Sequence, residues 1–206
     1  MERFNAAAAL LLGVLGLAAC AGQPVPPQST ADSRSLGKPN APVVMLEFSD
    51  LQCPYCARFA LDTFPALRRR YIDTGKVRFE THDMPLPFHA YAVPAAIAAR
   101  CGGRQGRFWE YREALFRAQQ QLDGAPYDAI AAALGLDVER FKACRADAAV
   151  AEEVRTDETQ AASRGVSSTP TLMVGRMVKG ELVGEVIVGA QPLEVFVKRI
   201  DELLKQ

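Results

Sequence analysis

Two cysteines lie two residues apart in the motif Cys53-Pro54-Tyr55-Cys56. Residues 43–48, shortly before the motif, have the composition of a buried strand, and apolar residues at helical spacing follow it. A strand-to-helix turn would place Cys53 at a helix N-terminus, where unpaired N–H groups and the helix dipole stabilise a thiolate. Because the thiolate is the form that attacks disulfides, the motif predicts thiol–disulfide chemistry.

The N-terminus has the pattern of an export signal. Residues 6–19 carry no charge and are followed by Cys20. Fourteen helical residues reach about 21 Å, which is short of a hydrocarbon core of about 30 Å. Residues 17–20, Leu-Ala-Ala-Cys, resemble a bacterial lipobox, although ordinary signal cleavage is the alternative. We therefore expect residues 1–20 to be a lipoprotein signal peptide, with a lipid on Cys20 anchoring the chain to a membrane.

The rest of the chain is predicted to be a tether followed by one domain. Residues 21–38 are rich in proline and small polar residues, as in an extended linker. Residues 39–206 are long enough for one well-buried domain. Lysine plus arginine and aspartate plus glutamate both number 24, so no basic excess points to nucleic acid.

The cysteine count suggests a second bridge. With Cys20 set aside, Cys53, Cys56, Cys101 and Cys144 remain, and four cysteines allow three pairings. If Cys53 and Cys56 form the redox pair, Cys101 and Cys144 would form a structural disulfide, which an oxidising compartment favours. The alternative is two buried free thiols.

The remaining pattern predicts alternating strands and helices. Pro65 should interrupt the helix after the motif, and Asp137 is a plausible helix N-cap. The predicted elements are a helix ending at Gly75, a strand at 76–82, several helices within 88–164, strands at 171–174 and 182–188 with a turn at Gly175-Arg176, and a final helix starting near Pro192. This order predicts an α/β, thioredoxin-like fold with an α-helical insertion, at about 86–164, between its two halves.

Three segments resemble the DsbA family of extracytoplasmic thiol–disulfide oxidoreductases, especially its DsbG-like and Gram-positive-type members. They are 47–56 (EFSDLQCPYC), 105–109 (QGRFW) and 166–171 (VSSTPT). The resemblance covers residues 39–206. Together with the lipoprotein pattern at the N-terminus, it indicates a lipoprotein form of this family.

The resemblance implies a role for each matched residue. Cys53 is the expected exposed nucleophile, Cys56 the more buried resolving thiol, and Pro170 a cis-proline facing the two sulfurs. The substrate groove would include Pro54, Tyr55 and Thr169.

Glu47 matches the buried acid of this family and would accept a proton from Cys56. Strand alternation places it on the apolar side with Val43 and Met45, whereas the alternative is a strand-end glutamate in water.

The resemblance also implies partners and a location. We expect a monomeric, extracytoplasmic thiol oxidase, periplasmic or at the cell surface, that acts on exported proteins with cysteine thiols and is reoxidised by a membrane redox partner. Tyr55 replaces the histidine of strongly oxidising relatives, which predicts moderate oxidising power. The alternative is a membrane-tethered reductase or isomerase, although 21–38 is too short for the dimerisation domain of known isomerases.

Other classes of function fit the residues less well. Cys53, Cys56, His82 and His89 could form a zinc set, but their spacing is outside the usual finger pattern. A copper-handling protein would bind Cu(I) through the soft thiolates of Cys53 and Cys56. An adhesion module would use the fold without thiol exchange. We expect no metal and no cofactor, and structural or surface roles for both histidines.

Overall fold

A computed structural model describes Met1 and residues 34–206. The predicted signal peptide, Cys20 and most of the predicted tether therefore lie outside the described residues. The predicted start of the domain at residue 39 is too late, because Ser35–Leu36 form a first strand, β1. This strand pairs antiparallel with β3, Val77–Asp83, so the folded part includes residues that the composition assigned to the tether.

The sheet has five strands in the order β1-β3-β2-β4-β5. Its central strand β2, Val43–Ser49, is the predicted apolar run, and all but one of its residues are buried. It pairs parallel with β3 and antiparallel with β4, Thr171–Val178, which in turn pairs with β5, Glu181–Val188. A strand covered on both faces needs a nearly continuous apolar sequence, which explains the composition of β2.

The helix after the motif contains two π turns. Pro65 lies in the first turn of a helical stretch, where its missing N–H is tolerated, and a π turn comes directly before it. Gly75, with φ of +75°, follows the helix, as predicted. In order, the stretches are α1 Pro54–Arg58, a π turn Phe59–Thr63, α2 Phe64–Leu67 and a π turn Arg68–Ile72.

The insertion between β3 and β4 is helical. Asp137 is an N-cap, as predicted, because its side chain accepts a hydrogen bond of 2.9 Å from the backbone N–H of Arg140. No helix among the described residues is long and apolar enough to cross a membrane. The helices are α3 Ala92–Gly103, α4 Phe108–Arg117, a 3-10 helix Gln119–Gly124, α5 Tyr127–Ala133, α6 Val138–Ala146 and α7 Ala148–Ser163.

The predicted turn at Gly175-Arg176 is wrong, because β4 continues through both residues. The turn lies instead at Lys179-Gly180, which have φ of 52° and 87°. Gly175 is paired with Gly184, and a Cβ on Gly175 would lie 2.2 Å from the carbonyl oxygen of Val183. The glycine therefore permits close approach of two strands. After β5, Pro192 precedes the last helix, α8 Leu193–Leu203.

Two apolar clusters fill the interior. One joins the helical insertion to the cysteine motif and includes both motif cysteines. The other lies between the sheet and helices α2 and α8. Trp109 packs against both clusters and stacks on Phe64 with ring centroids 5.9 Å apart. The insertion and the sheet therefore share a continuous interior through this tryptophan.

A buried ion cluster joins β3 to helices α3 and α7. Asp157 accepts hydrogen bonds from Arg100 at 2.6 Å and from the backbone N–H of Asp83 at 2.9 Å, and it also pairs with Arg34. His82 Nδ1 lies 3.5 Å from the same carboxylate.

Burial lowers the pKa of His82, but Asp157 and Glu80 outweigh it and raise the pKa to about 9. Burial also disfavours the ionised form of Asp157, yet His82 and Arg34 lower its pKa to about 2. His82 is therefore structural, as expected, and its positive charge is balanced by the carboxylates of this cluster.

Candidate active site

Cys53 is the N-cap residue of α1. Its φ of −74° and ψ of 122° are extended, no side chain caps the helix, and Pro54 occupies the first turn. The residue Cys53 is 4% exposed and Cys56 is fully buried. Cys53 is thus the more accessible thiol, but the expectation of an exposed residue is wrong, because the insertion packs over the motif.

The surroundings of the two thiols move their pKa values in opposite directions. A hydrogen bond from Cys56 lowers the pKa of Cys53 to about 5. Burial opposes this, while the side chain of Thr169 and the N–H groups of Cys56 and Tyr55 add to it. Burial, followed by the neighbouring Cys53, raises the pKa of Cys56 well above its ordinary value. The surroundings therefore favour the thiolate form of Cys53 and the protonated form of Cys56.

The segment before β4 faces the motif from the other side. The peptide bond between Thr169 and Pro170 is cis, as the resemblance implied. The Cys53 thiol donates a 3.4 Å hydrogen bond to the carbonyl oxygen of Thr169. Tyr55 is 57% exposed, with the Arg58 guanidinium 5.3 Å from the centre of its ring. The structure thus places Thr169 against Cys53 and leaves the Tyr55 ring accessible beside it.

Glu47 is completely buried, so the alternative of a glutamate in water is wrong. Both of its carboxylate oxygens accept hydrogen bonds from Arg112 Nη2, at 2.8 and 2.7 Å, and the same nitrogen lies 3.3 Å from the hydroxyl of Ser49. The negative charge of Glu47 contributes to the raised pKa of Cys56. Arg112 is itself buried, with its guanidinium 5.7 Å from the ring centre of Trp109 and 4.8 Å from that of Phe116.

Sequence reasoning missed the residues that hold the motif in place. Gln119 Nε2, from the insertion, donates to the carbonyl oxygens of Leu51 and Cys53 at 2.9 and 3.0 Å. Asp50 donates from its backbone N–H to Cys56 Sγ at 3.4 Å, and its carboxylate lies 2.7 Å from His89 Nδ1. An Asp three residues before the helix cap was the one available signal, since Asp side chains often accept hydrogen bonds from the backbone that follows them.

Cys101 and Cys144 form a disulfide, with 5.8 Å between their Cα atoms. Within residues 34–206, no group of three or more histidine, cysteine or acidic side chains is placed to hold a metal ion. His82 and His89 contact carboxylates in separate places, so the four-residue zinc set is not assembled. The only cysteines that remain free among the described residues are the motif pair.

Comparison with known proteins identifies the family. The family model described as Thioredoxin matches residues 29–189, which is well over half of the chain. The chain belongs to the thioredoxin family. Sequence relatives include the Na(+)/H(+) antiporter NhaA 3 of Salinispora tropica, 37% identical over 67% of this chain and 21% of that protein. Another is the NhaA antiporter of Herminiimonas arsenicoxydans, 34% identical over 75% of this chain and 24% of that protein. The thioredoxin-family chain thus spans about a fifth to a quarter of these curated relatives' length.

Solved structures with a similar fold include DsbA-type proteins. Wolbachia pipientis α-DsbA1 aligns with a TM-score of 0.75 at 25% identity, covering 84% of this chain and 90% of that one. Bacillus subtilis BdbD, solved in its oxidised form, aligns with a TM-score of 0.72 at 26% identity, covering 84% and 93%. Pseudomonas aeruginosa DsbA2 aligns with a TM-score of 0.68 at 26% identity, covering 85% and 96%. The thioredoxin-like fold and its helical insertion are therefore confirmed.

Proposed function

We propose that this protein is an extracytoplasmic thiol oxidase that transfers a disulfide from Cys53 and Cys56 to exported proteins. The observation that carries the proposal is the position of Cys53 at the N-cap of α1, where the N–H groups of Tyr55 and Cys56 point at its sulfur, with Cys56 fully buried behind it. These surroundings lower the pKa of Cys53 and raise that of Cys56. A stabilised Cys53 thiolate stabilises the reduced pair, and a stabilised reduced pair gives up its disulfide readily.

The reaction proceeds by two exchanges. A substrate thiolate attacks Cys53 Sγ of the Cys53–Cys56 disulfide, the bond between the two protein sulfurs breaks, and Cys56 leaves and takes up a proton. A second substrate thiolate then attacks the substrate sulfur of the mixed disulfide, and Cys53 leaves as a thiolate. The substrate loses two electrons and the pair gains them. Because a thiol of low pKa is a good leaving group, the second exchange is fast.

The surrounding residues would support these exchanges. Glu47 is proposed to exchange the proton with Cys56, since its charge acts on that thiol and Arg112 compensates it. Thr169 and Pro170, together with Pro54 and the exposed ring of Tyr55, would form the substrate groove beside Cys53.

The partners and location are also proposals. The uncharged stretch before Cys20 supports export and a lipid anchor, and the prolines after it support a tether of a monomeric domain. A membrane redox partner would remove two electrons from the pair after each cycle. Replacing Cys20 with serine should release the protein from the membrane fraction without changing its exchange activity.

The test is to trap the mixed disulfide. In Cys56→Ala the resolving thiol is missing, so Cys53 should accumulate in disulfides with exported proteins, which mass spectrometry would identify. Cys53→Ala is the matched control and should trap none. Alkylation of wild-type protein in the same cells reports its resting state. An oxidase rests as the disulfide, and a resting dithiol would instead favour the reductase alternative.

A further inference from the structure

The Asp50 side chain is fully buried beside the cysteine motif. Its Oδ1 accepts hydrogen bonds from the backbone N–H groups of Gln52, at 2.7 Å, and Cys53, at 3.2 Å. Its own backbone N–H donates to Cys56 Sγ at 3.4 Å. One residue therefore contacts the backbone that presents the first thiol and the sulfur of the second.

The other oxygen of Asp50 holds a second segment, residues 84–91, which links β3 to α3. Oδ2 accepts from the backbone N–H of Leu86 and lies 2.7 Å from His89 Nδ1. Because a carboxylate can only accept, the histidine nitrogen that faces it carries a proton. The same segment is joined to the motif by the Tyr91 N–H, which donates to Gln52 Oε1 at 2.7 Å.

We propose that Asp50 is a positioning residue for both thiols, and that His89 offsets its charge and thereby helps to set how readily Cys53 forms a thiolate. The proposal rests on the thiol–disulfide function proposed above. Four donors meet this buried carboxylate, three of them backbone N–H groups. His89 is the one donor that a side-chain substitution can remove.

Electrostatics predicts the direction in which each substitution moves the pKa of Cys53. A buried negative charge near a sulfur disfavours the thiolate, and a donor that faces the charge reduces this effect. Removing the charge in Asp50→Asn keeps the size of the side chain, although its NH2 group then meets N–H donors, and should lower the pKa of Cys53 by about one pH unit. Removing the donor in His89→Ala should raise it. Mere loosening of the motif would move both variants in the same direction.

The experiment measures thiolate absorbance at 240 nm against pH in the reduced, full-length protein, with Cys53→Ser as the blank. His89→Asn is the matched control, because its amide can donate from the place of Nδ1 and should restore the wild-type midpoint. Asp128→Asn removes an equal charge at the partly exposed ion pair with Arg145 and should leave the midpoint unchanged.

The opposite signs of Asp50→Asn and His89→Ala, with restoration in His89→Asn, would support the proposal. A common direction, or shifts no larger than that of Asp128→Asn, would overturn it. If Asp50→Asn does not fold, the two His89 variants decide alone, since equal midpoints in alanine and asparagine would overturn it. The titration does not require a substrate, so its outcome is separate from the trapping experiment that tests the proposed function.

Discussion

The two cysteine pairs occupy opposite ends of helices. Cys53 precedes the first turn of α1, where N–H groups point at its sulfur. Cys101 and Cys144 each stand third from the end of their helices, α3 and α6. The negative end of the helix dipole disfavours a thiolate there, and the nearby N–H groups are used within the helix. Position along a helix, rather than the presence of two thiols, therefore separates a reactive pair from a structural one.

The largest expected effect is on activity. Cys53→Ser should reduce exchange with a model dithiol substrate to the level of the uncatalysed reaction, because it removes the nucleophile. The double variant Cys101→Ala/Cys144→Ala should keep its rate when assayed at a temperature where it is folded. Oxidation of a reduced peptide, followed by fluorescence, measures both. A large rate loss in the double variant would contradict the assignment of Cys101 and Cys144 as a purely structural pair.

The second expected effect is on stability and concerns the other pair. The bridge spans 43 residues, so its removal should lower the free energy of unfolding by about 4 kcal/mol in the chain-entropy description. Denaturant unfolding of the double variant against the wild type measures the difference. A loss below about 1 kcal/mol would contradict a structural role, since native disulfides usually contribute more.

The third prediction tests the buried charge beside the reactive pair. Arg112→Met leaves Glu47 buried without its partner and should cost about 3 kcal/mol of unfolding free energy. Glu47→Leu/Arg112→Met should recover most of that loss, because no unpaired charge remains. Arg117→Met, at an exposed pair on the same helix, is the control and should change little. A double variant as unstable as the single one would argue against charge as the cause.

The smallest prediction concerns the ion cluster beside the structural pair, where Arg100 directly precedes Cys101. The pKa of His82 in the folded state is about 9, against an ordinary value of 6.5. Protonated His82 therefore stabilises the fold fully below pH 6.5, and this contribution is lost as the pH rises through 9. His82→Gln should therefore cost about 2 kcal/mol at pH 6, less than the roughly 3 kcal/mol of the full pKa shift because glutamine can still donate a hydrogen bond, and much less at pH 10. Urea unfolding at the two pH values measures it, and a pH-independent loss would point to packing instead.

Local features of the fold could be predicted because they depend on neighbouring residues. The β2 run, the Asp137 cap and Gly75 after the helix each carry their own signal. The turn at Gly175-Arg176 was predicted wrongly because glycine there serves a close approach to Gly184, a partner that the local sequence does not reveal.

The site was predicted in part for the same reason. The cysteines and Glu47 lie within ten residues of one another, so their arrangement follows from one strand and one turn. Arg112 and Gln119 reach the site from more than sixty residues away, and nothing near them in the sequence indicates that contact. Long-range partners of this kind require the packing of the insertion.

The pairing of Arg112 with Glu47 bears on how the chain could be divided. Since α4 supplies the only arginine that contacts this carboxylate among the described residues, the helical insertion is not a detachable module. A minimal domain without the insertion would keep Glu47 buried but would lack Arg112, which balances its charge. A chimera that borrows the insertion of another protein would need a cation at the same place. The two parts of the molecule can therefore be exchanged only as a matched set.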